Sequence, residues 1–590
     1  MTSMNATEFR SELQRTLSAN ASRVLLRIVA GPGFENLVEL TGADILERSA
    51  ALAARYTPHA EAGDTVLLLL PHSVELFLLH IGLVLSGRVP GILAWPTSRI
   101  DPEKYQRNLA HQLSHLPASQ LITLPRLAAN LAPGLPFPSV PCAIPGGEEF
   151  EKNLAVPIEF SRVPAPGGEP SARLPEDALF LQFSGGTTGA QKAVVVTAPM
   201  HVSQLDRLRA CLGFSSADSV VSWLPMYHDM GLIACLWLPL WHGAPSLQFS
   251  ATDWLLNPEM LFFYLDRYRG TFCWLPNFAF SYLASRRAGM QGPHSLEHVR
   301  AFINCSEPVR LRSLQDFERE FASWGVRGVA LQACYAMAEN VFAVTQTDLS
   351  RRPETSPRTR VRRLHSPYTV LSSQILDDVY VSSGRPVSGT EIRLVDDGVE
   401  CGPGEPGEIL IRTESLFCGY WGPGGFATSS LTPDGWYQTG DYGFCLDEEL
   451  YVIGRKKDMV IVGGQNIFPE DVETVVNTMP GLYPGRVVAF GIQDDKYGTE
   501  ALAVVAELRG EYERQLATGM QRKIQKLVLT TIGVAPRYVE VVPERWIVKS
   551  TAGKISRRET RTRFLAEFGR GDMAPEVTVP VKLSGEGQYA

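Results

Sequence analysis

The sequence has no Cys-x-x-Cys pair, no apolar run of membrane-spanning length, no excess of basic residues and no internal repeat. Each absence excludes something. Nine cysteines scattered singly, an odd count without clustering, argue against a disulfide framework and for reduced thiols. They read as small core residues before metal ligands. The longest apolar stretch, Gly231–Trp241, is about half of the ~20 residues a membrane helix needs, and it contains a proline. The opening MTSMNATEFRSELQR has no basic segment followed by an apolar one, so no signal peptide is expected. A soluble, cytoplasmic protein is the expectation. In that compartment the sequons at Asn5 and Asn20 carry no meaning. A net charge of -8 argues against a nucleic-acid binder and against a polybasic membrane-surface role. No HExxH metal motif and no GxSxG elbow occur either.

What is present is globular: 590 residues, 45% hydrophobic and 20% charged, enough for several folding units. The run from Asp64 to Pro71 suits a buried strand after a Gly-Asp turn. The next stretch, Ser73 to Gly87, suits a helix that stops at the glycine. Strand, helix, strand predicts an α/β fold with a mostly parallel sheet. Residues 128–172 are rich in Pro and Gly and read as a long surface connection. Residues 351–365, RRPETSPRTRVRRLH, are polar, basic and irregular. From Val381 to Gly454 the texture predicts strands with Gly/Pro turns, and after Arg455 comes a last, smaller unit. The final twenty residues, from Gly571, read as a flexible tail.

One loop carries clear chemistry. The strand-like Ala178–Phe183 runs into Ser184-Gly-Gly-Thr-Thr-Gly189, and Lys192 follows. Glycines let backbone N–H groups close on an anion, hydroxyls add donors, and the lysine adds charge. That suits a polyphosphate, although the spacing is not that of a Walker A loop. The plain alternative is a flexible turn. The hexapeptide Gly402–Gly407 matches GxGxxG literally, but its prolines stop it from opening a helix, so it reads as a hairpin turn.

With that loop the sequence resembles the acyl-adenylate-forming superfamily, which includes acyl-CoA synthetases, luciferases and peptide-synthetase adenylation domains. Further blocks follow in the family's order: Tyr335-Ala-Met-Ala-Glu339, Tyr437-Gln-Thr-Gly-Asp441, Gly454-Arg-Lys-Lys-Asp458 and Gly553-Lys554. The resemblance covers about residues 30–565. Within the superfamily the chain looks most like a fatty acyl-AMP ligase, through Ser222–Leu232 (SWLPMYHDMGL), Asn304–Val309 (NCSEPV) and Leu275–Phe278 (LPNF). The resemblance implies a large N-terminal AMP-binding domain (1–454) of mostly parallel sheets flanked by helices plus a β-rich subdomain, with an insertion at about 351–379. It implies a small, mobile α+β C-terminal domain (455–570) and a tail (571–590).

It also implies roles. Ser184, Gly185, Thr187, Thr188 and Lys192 would hold phosphates. Ser306, Glu307, Tyr335 and Met337 would border the nucleotide. Asp441 would accept from both ribose hydroxyls, which two carboxylate oxygens suit, and Arg455 would assist. Glu339 would bind Mg²⁺, a hard cation that takes few carboxylates plus phosphate oxygens. His228 would border the reacting carboxylate. Lys554 would stabilise the negative charge that gathers there, and Lys457 would be the hinge on which it swings. Trp223, Met230, Asn277, Phe278 and Cys305 would line the acyl site. ATP and Mg²⁺ are the expected cofactors. The expected partner is a phosphopantetheinylated carrier protein acting in trans, because the chain shows no carrier domain of its own. Coenzyme A as acceptor, or a non-catalytic nucleotide-binding regulator, are the alternatives. Gln191-Lys192-Ala193, Ala336, Cys305 and Val548 depart from the family's pattern at backbone-tight positions.

Overall fold

A computed structural model gives the structure of residues 4–31, 34, 36–96, 102–131, 135, 137–148, 174–184, 192–349, 361–364, 378–422, 425–427, 431–462, 465–494, 499–510, 514–549 and 555–568. Gly185, Thr187, Thr188 and Lys554 lie outside these residues, as do the tail and most of the basic segment.

Two large sheets form the N-terminal body. Among the described residues, one has nine strands, in the order Arg385–Pro386, Ala343–Gln346, Leu331–Ala336, Ala301–Asn304, Phe272–Leu275, Val220–Ser222, Ser246–Gln248, Val24–Val29 and Leu37–Thr41. From Leu331–Ala336 to Val24–Val29 all neighbours are parallel. The other runs Gly425–Ala427, Tyr420–Gly422, Ala193–Thr197, Ala178–Phe183, Val89–Ile92, Thr65–Leu69, Gln120–Thr123 and Ser139–Pro141. From Ala178–Phe183 to Ser139–Pro141 its neighbouring strands are also parallel, and the central ones are largely apolar runs, as strands buried on both faces are. Every residue of Thr65–Leu69 is buried. The helix Val74–Leu85 begins where the Ser73 side chain accepts from the Leu76 amide at 3.3 Å, and the chain turns away at Gly87, whose φ is 85°.

A smaller antiparallel sheet follows, ordered Val399–Glu400, Glu391–Asp396, Gly407–Arg412, Tyr437–Leu446 and Glu449–Arg455. Residues beyond it fold around Leu482–Asp494, Thr499–Leu508 and Tyr538–Val542, packed by helices Pro469–Val476, Arg514–Ile532 and Arg557–Phe568. The α/β class expected from the sequence is the class observed.

Two segments differ from expectation. Ser139–Pro141 is a parallel edge strand, and Cys142 after it is buried, so 128–172 is not all surface connection. Val361–Leu364 pairs antiparallel with Asp378–Val381, so the basic segment is not irregular throughout. All nine cysteines are unbridged. No described helix is long and apolar enough to cross a membrane.

Candidate active site

Several of the predicted residues lie just past the carboxyl ends of parallel strands, where open α/β sheets bind ligands. Trp223 follows Val220–Ser222, Asn277 follows Phe272–Leu275, Cys305 and Ser306 follow Ala301–Asn304, and Met337 and Glu339 follow Leu331–Ala336. The glycine loop hangs between Ala178–Phe183 and Ala193–Thr197. Its ends are tied by the Ser184 amide donating to the Lys192 carbonyl at 2.9 Å.

Glu339 sits in a tight turn. Val341, two residues on, has φ of 60°, unusual for a β-branched side chain and a mark of a site held by its surroundings. The surroundings are specific. Gln182, on the strand that leads into the glycine loop, donates from Nε2 to the Val341 carbonyl at 3.2 Å. The Phe417 amide donates to the Glu339 carbonyl at 2.7 Å. The Tyr420 hydroxyl donates to Glu339 Oε1 at 2.8 Å and lies 3.3 Å from the Tyr437 hydroxyl. Lys192 Nζ stands 4.5 Å from the centre of the Tyr420 ring. Sequence reasoning missed Tyr420, which lies in no recognised block, and quoted Tyr437 without giving it a role.

Asp441 is the second centre. Gly440 before it has φ of 73°, which glycine adopts freely, and the Asp441 amide donates to Thr439 Oγ1 at 3.0 Å. Asp441 and Arg455 are direct cross-strand partners. Arg455 Nε lies 3.1 Å from Oδ1, and the Tyr335 hydroxyl donates to Oδ2 at 2.6 Å. A carboxylate offers about four lone-pair directions, so two remain for a diol.

Burial, then the Asp441 charge, pushes the Tyr335 phenol well above its ordinary value. Burial and the Glu339 charge do the same to Tyr420 and Tyr437. All three are therefore neutral donors. Burial is the largest influence on Arg455 and opposes its charge, but Asp441, with Tyr335, Asp458 and Glu339 adding to it, raises the pKa. Lys457 moves down, through burial and then the positive charge of Arg455, with Lys192 adding a smaller push. Lys192, Arg455 and Lys457 thus share one field with Glu339 and Asp441.

On the neighbouring strand ends, the Ser306 hydroxyl lies 3.9 Å from Met230 Sδ and 4.0 Å from Cys305 Sγ. Cys305 is buried with an ordinary backbone; the left-handed residue is Ser306, at φ 72°. Ala193 and Ala336 lie in strands without positive φ, so these departures carry no backbone strain. His228 is half-buried in the turn before a π-helix, Met230–Trp237, its ring 4.6 Å from that of Tyr227. Such helices often mark functional sites. Glu307 accepts from the Phe278 amide at 2.9 Å, which caps the helix Asn277–Arg286. Asn277 is a strut: its Oδ1 accepts from Asn304 Nδ2 and the Arg310 amide, both at 3.0 Å.

A Tyr-Asp-Arg cluster and a Lys-Tyr-Glu cluster, the latter's lysine ending a segment whose glycines and hydroxyls suit polyphosphate, can hold a nucleotide. Comparison with known proteins agrees. The family profile described as "AMP-binding enzyme" matches residues 22–421. A probable long-chain-fatty-acid–AMP ligase, FadD30 of Mycobacterium tuberculosis, is 30% identical over 65% of this chain and 70% of its own. A medium-chain-fatty-acid–[acyl-carrier-protein] ligase, JamA of Moorena producens, is 26% identical over 90% of this chain and 91% of its own. A solved structure described in a study of fatty acyl-adenylate ligases from E. coli and L. pneumophila superimposes with a TM-score of 0.77 at 22% identity. It covers 94% of this chain and 98% of its own, and it shares the fold.

Proposed function

The chain belongs to the AMP-binding enzyme family, and on that premise we propose that it joins a carboxylic acid, a fatty acid, to AMP and passes the acyl group to a carrier protein in trans. The observation that carries this reading is the convergence of Lys192, Tyr420 and Glu339 with Tyr335, Asp441 and Arg455 in one field.

In the first step a carboxylate oxygen of the acid attacks the α-phosphorus of ATP. A P–O bond forms, the bond to the β-phosphate oxygen breaks, and pyrophosphate leaves with the electron pair. Asp441 accepts from the ribose hydroxyls, backed by Arg455, while Tyr335 packs beside the base. Ser184, Gly185, Thr187, Thr188 and Lys192 hold phosphates, with Ser306, Glu307 and Met337 bordering the nucleotide. Magnesium fits the donor set: Glu339 has one oxygen bound by Tyr420, and such ions take one or two carboxylates with phosphate oxygens. Bound there, the ion would neutralise phosphate charge. His228 borders the carboxylate. Lys554 supplies the cation that stabilises the crowded oxygens. In the second step a phosphopantetheine thiol attacks the acyl carbon and AMP leaves. Rotation of residues after Lys457 exchanges the two steps.

ATP–pyrophosphate exchange across a panel of carboxylic acids tests the first step. Lys554→Ala should lower exchange by about 10²–10³. A variant as active as wild type overturns that role, and no exchange with any acid sinks the activity. Thioester formation on a phosphopantetheinylated carrier, set against free coenzyme A, decides the acceptor.

A further inference from the structure

We propose that His111 and His115 form a two-imidazole site for a divalent transition ion of the zinc and copper class. Neither residue belongs to the nucleotide cluster, and the proposal stands apart from the ligase reading. The two lie four positions apart on the helix Pro102–His115, and residues so spaced stand one above the other on a helix surface. Both are exposed, while Gln112 and Leu113 between them are buried, so the pair faces solvent. Their ring centres are 3.9 Å apart with 33° between the planes. Two imidazoles this close reach adjacent positions on one ion after a small opening of the pair, with metal–nitrogen bonds of about 2.0–2.1 Å.

The hydrogen bonds fix which nitrogen is offered. His115 Nδ1 lies 2.7 Å from the His111 carbonyl oxygen and 2.8 Å from Ser114 Oγ. A carbonyl only accepts, and Ser114 Oγ spends its own proton on that same carbonyl at 2.9 Å. Nδ1 is therefore the protonated nitrogen, and the neutral ring carries its lone pair on Nε2, free for a metal. Metal-bound histidines almost always donate their other N–H in this way, which holds the ring and strengthens the ligand. Burial, and then the neighbouring His115, lower the His111 pKa, which favours the neutral form that ligates. His115 is also the last residue of the helix, where the terminal carbonyls favour a cation. Among the described residues no third His, Cys, Asp or Glu joins the pair, so water completes the shell. Imidazole and water select copper above zinc, and both far above magnesium. Bound there, the ion clips the last turn of the helix to the one before.

The test is calorimetric titration of the full chain with Cu²⁺ and, separately, Zn²⁺, for wild type, His111→Gln, His115→Gln and the double variant. Glutamine suits a helix and both positions are exposed, so the variants keep the fold. Wild type should bind one ion that the double variant does not, copper more tightly than zinc, and excess Mg²⁺ should displace neither. Each single variant should weaken that binding by at least the roughly 10–100-fold lost when even a supporting partner of a ligand is removed. A chelate needs both rings, so either single change should cost as much as the two together. Electron paramagnetic resonance of the copper-loaded wild type should show two coordinated imidazole nitrogens, and one or none in the variants. Losses that simply add overturn the proposal and mark two independent surface histidines. The same titration curve for wild type and the double variant overturns it as well.

Discussion

Acid should unfold this protein through two histidines in its N-terminal body. His80 and His201 are both 0% exposed. Trp237 Nε1 donates to His80 Nε2 at 3.2 Å. The His201 ring sits among Phe180, Trp237 and Phe9, at 5.1, 5.4 and 5.7 Å. Burial lowers His80 from 6.5 to about 3; burial, then the neighbouring His80, lowers His201 to about 3 as well. The folded pKa lies below the unfolded one, so both rings are neutral in the native state. Their contribution is fully present above pH 6.5. It is lost as pH falls from there toward 3, because the unfolded chain takes up protons that the native one refuses. At pH 5 that is about 1.5 pH units at 1.36 kcal/mol each, or about 2 kcal/mol per ring. Together they cost about 4 kcal/mol, a large part of a typical 5–15 kcal/mol stability. Urea unfolding followed by tryptophan fluorescence at pH 7.5 and pH 5.0 measures the loss. His80→Gln, which keeps an acceptor for Trp237, and His201→Phe, which keeps a ring, should each recover about 2 kcal/mol of it. A variant that loses as much as wild type refutes the assignment.

Three further outcomes follow from the site and the residues that come after it. Asp441→Asn removes the charge that Arg455 meets at 3.1 Å and should raise the KM for ATP about 10-fold, the scale of a charged hydrogen bond; unchanged ATP dependence would count against its ribose role. Tyr420→Phe deletes the donor to Glu339 and should cost about 1 kcal/mol, roughly 5-fold, read as a shift in the magnesium dependence of exchange. Arg557 holds Asp458 at 2.8 Å, Glu473 at 2.8 Å and Glu470 at 3.0 Å. Arg557→Met should destabilise the C-terminal residues by about 3–5 kcal/mol, seen as proteolysis confined to them; uniform resistance would contradict it.

Local features were legible and long-range ones were not. The strand Thr65–Leu69 and the helix Val74–Leu85 follow from an apolar run, a serine cap and a glycine stop, all within a few residues. Glu339 and Asp441 could be named from their blocks, but not what holds them. Tyr420 reaches Glu339 across 81 positions, and Gln182 reaches Val341 across 159, through sheet packing that no local pattern encodes. Arg455 meets Asp441 because an antiparallel register sets them opposite, and register depends on a bulge between Tyr442 and Gly443. The substitution at Cys305 seemed tight because a glycine usually stands there. The strained position proved to be its neighbour Ser306, since φ is a property of the folded turn.

The arrangement of charge suggests why hinge and nucleotide should act together. Lys457 follows the last strand of the antiparallel sheet, two residues after Arg455, and its ammonium feels Arg455 and Lys192 as like charges. Burial and those charges both disfavour its cationic form. A polyphosphate bound among the three cations, as proposed above, would reverse the balance, stabilise the charged lysine and draw the three side chains to one ligand. On the proposed reading, in which Lys457 is the hinge, that attraction would weaken there when pyrophosphate departs. Loss of the leaving group and release of the proposed hinge would then be one electrostatic event, with no separate signal needed to couple them.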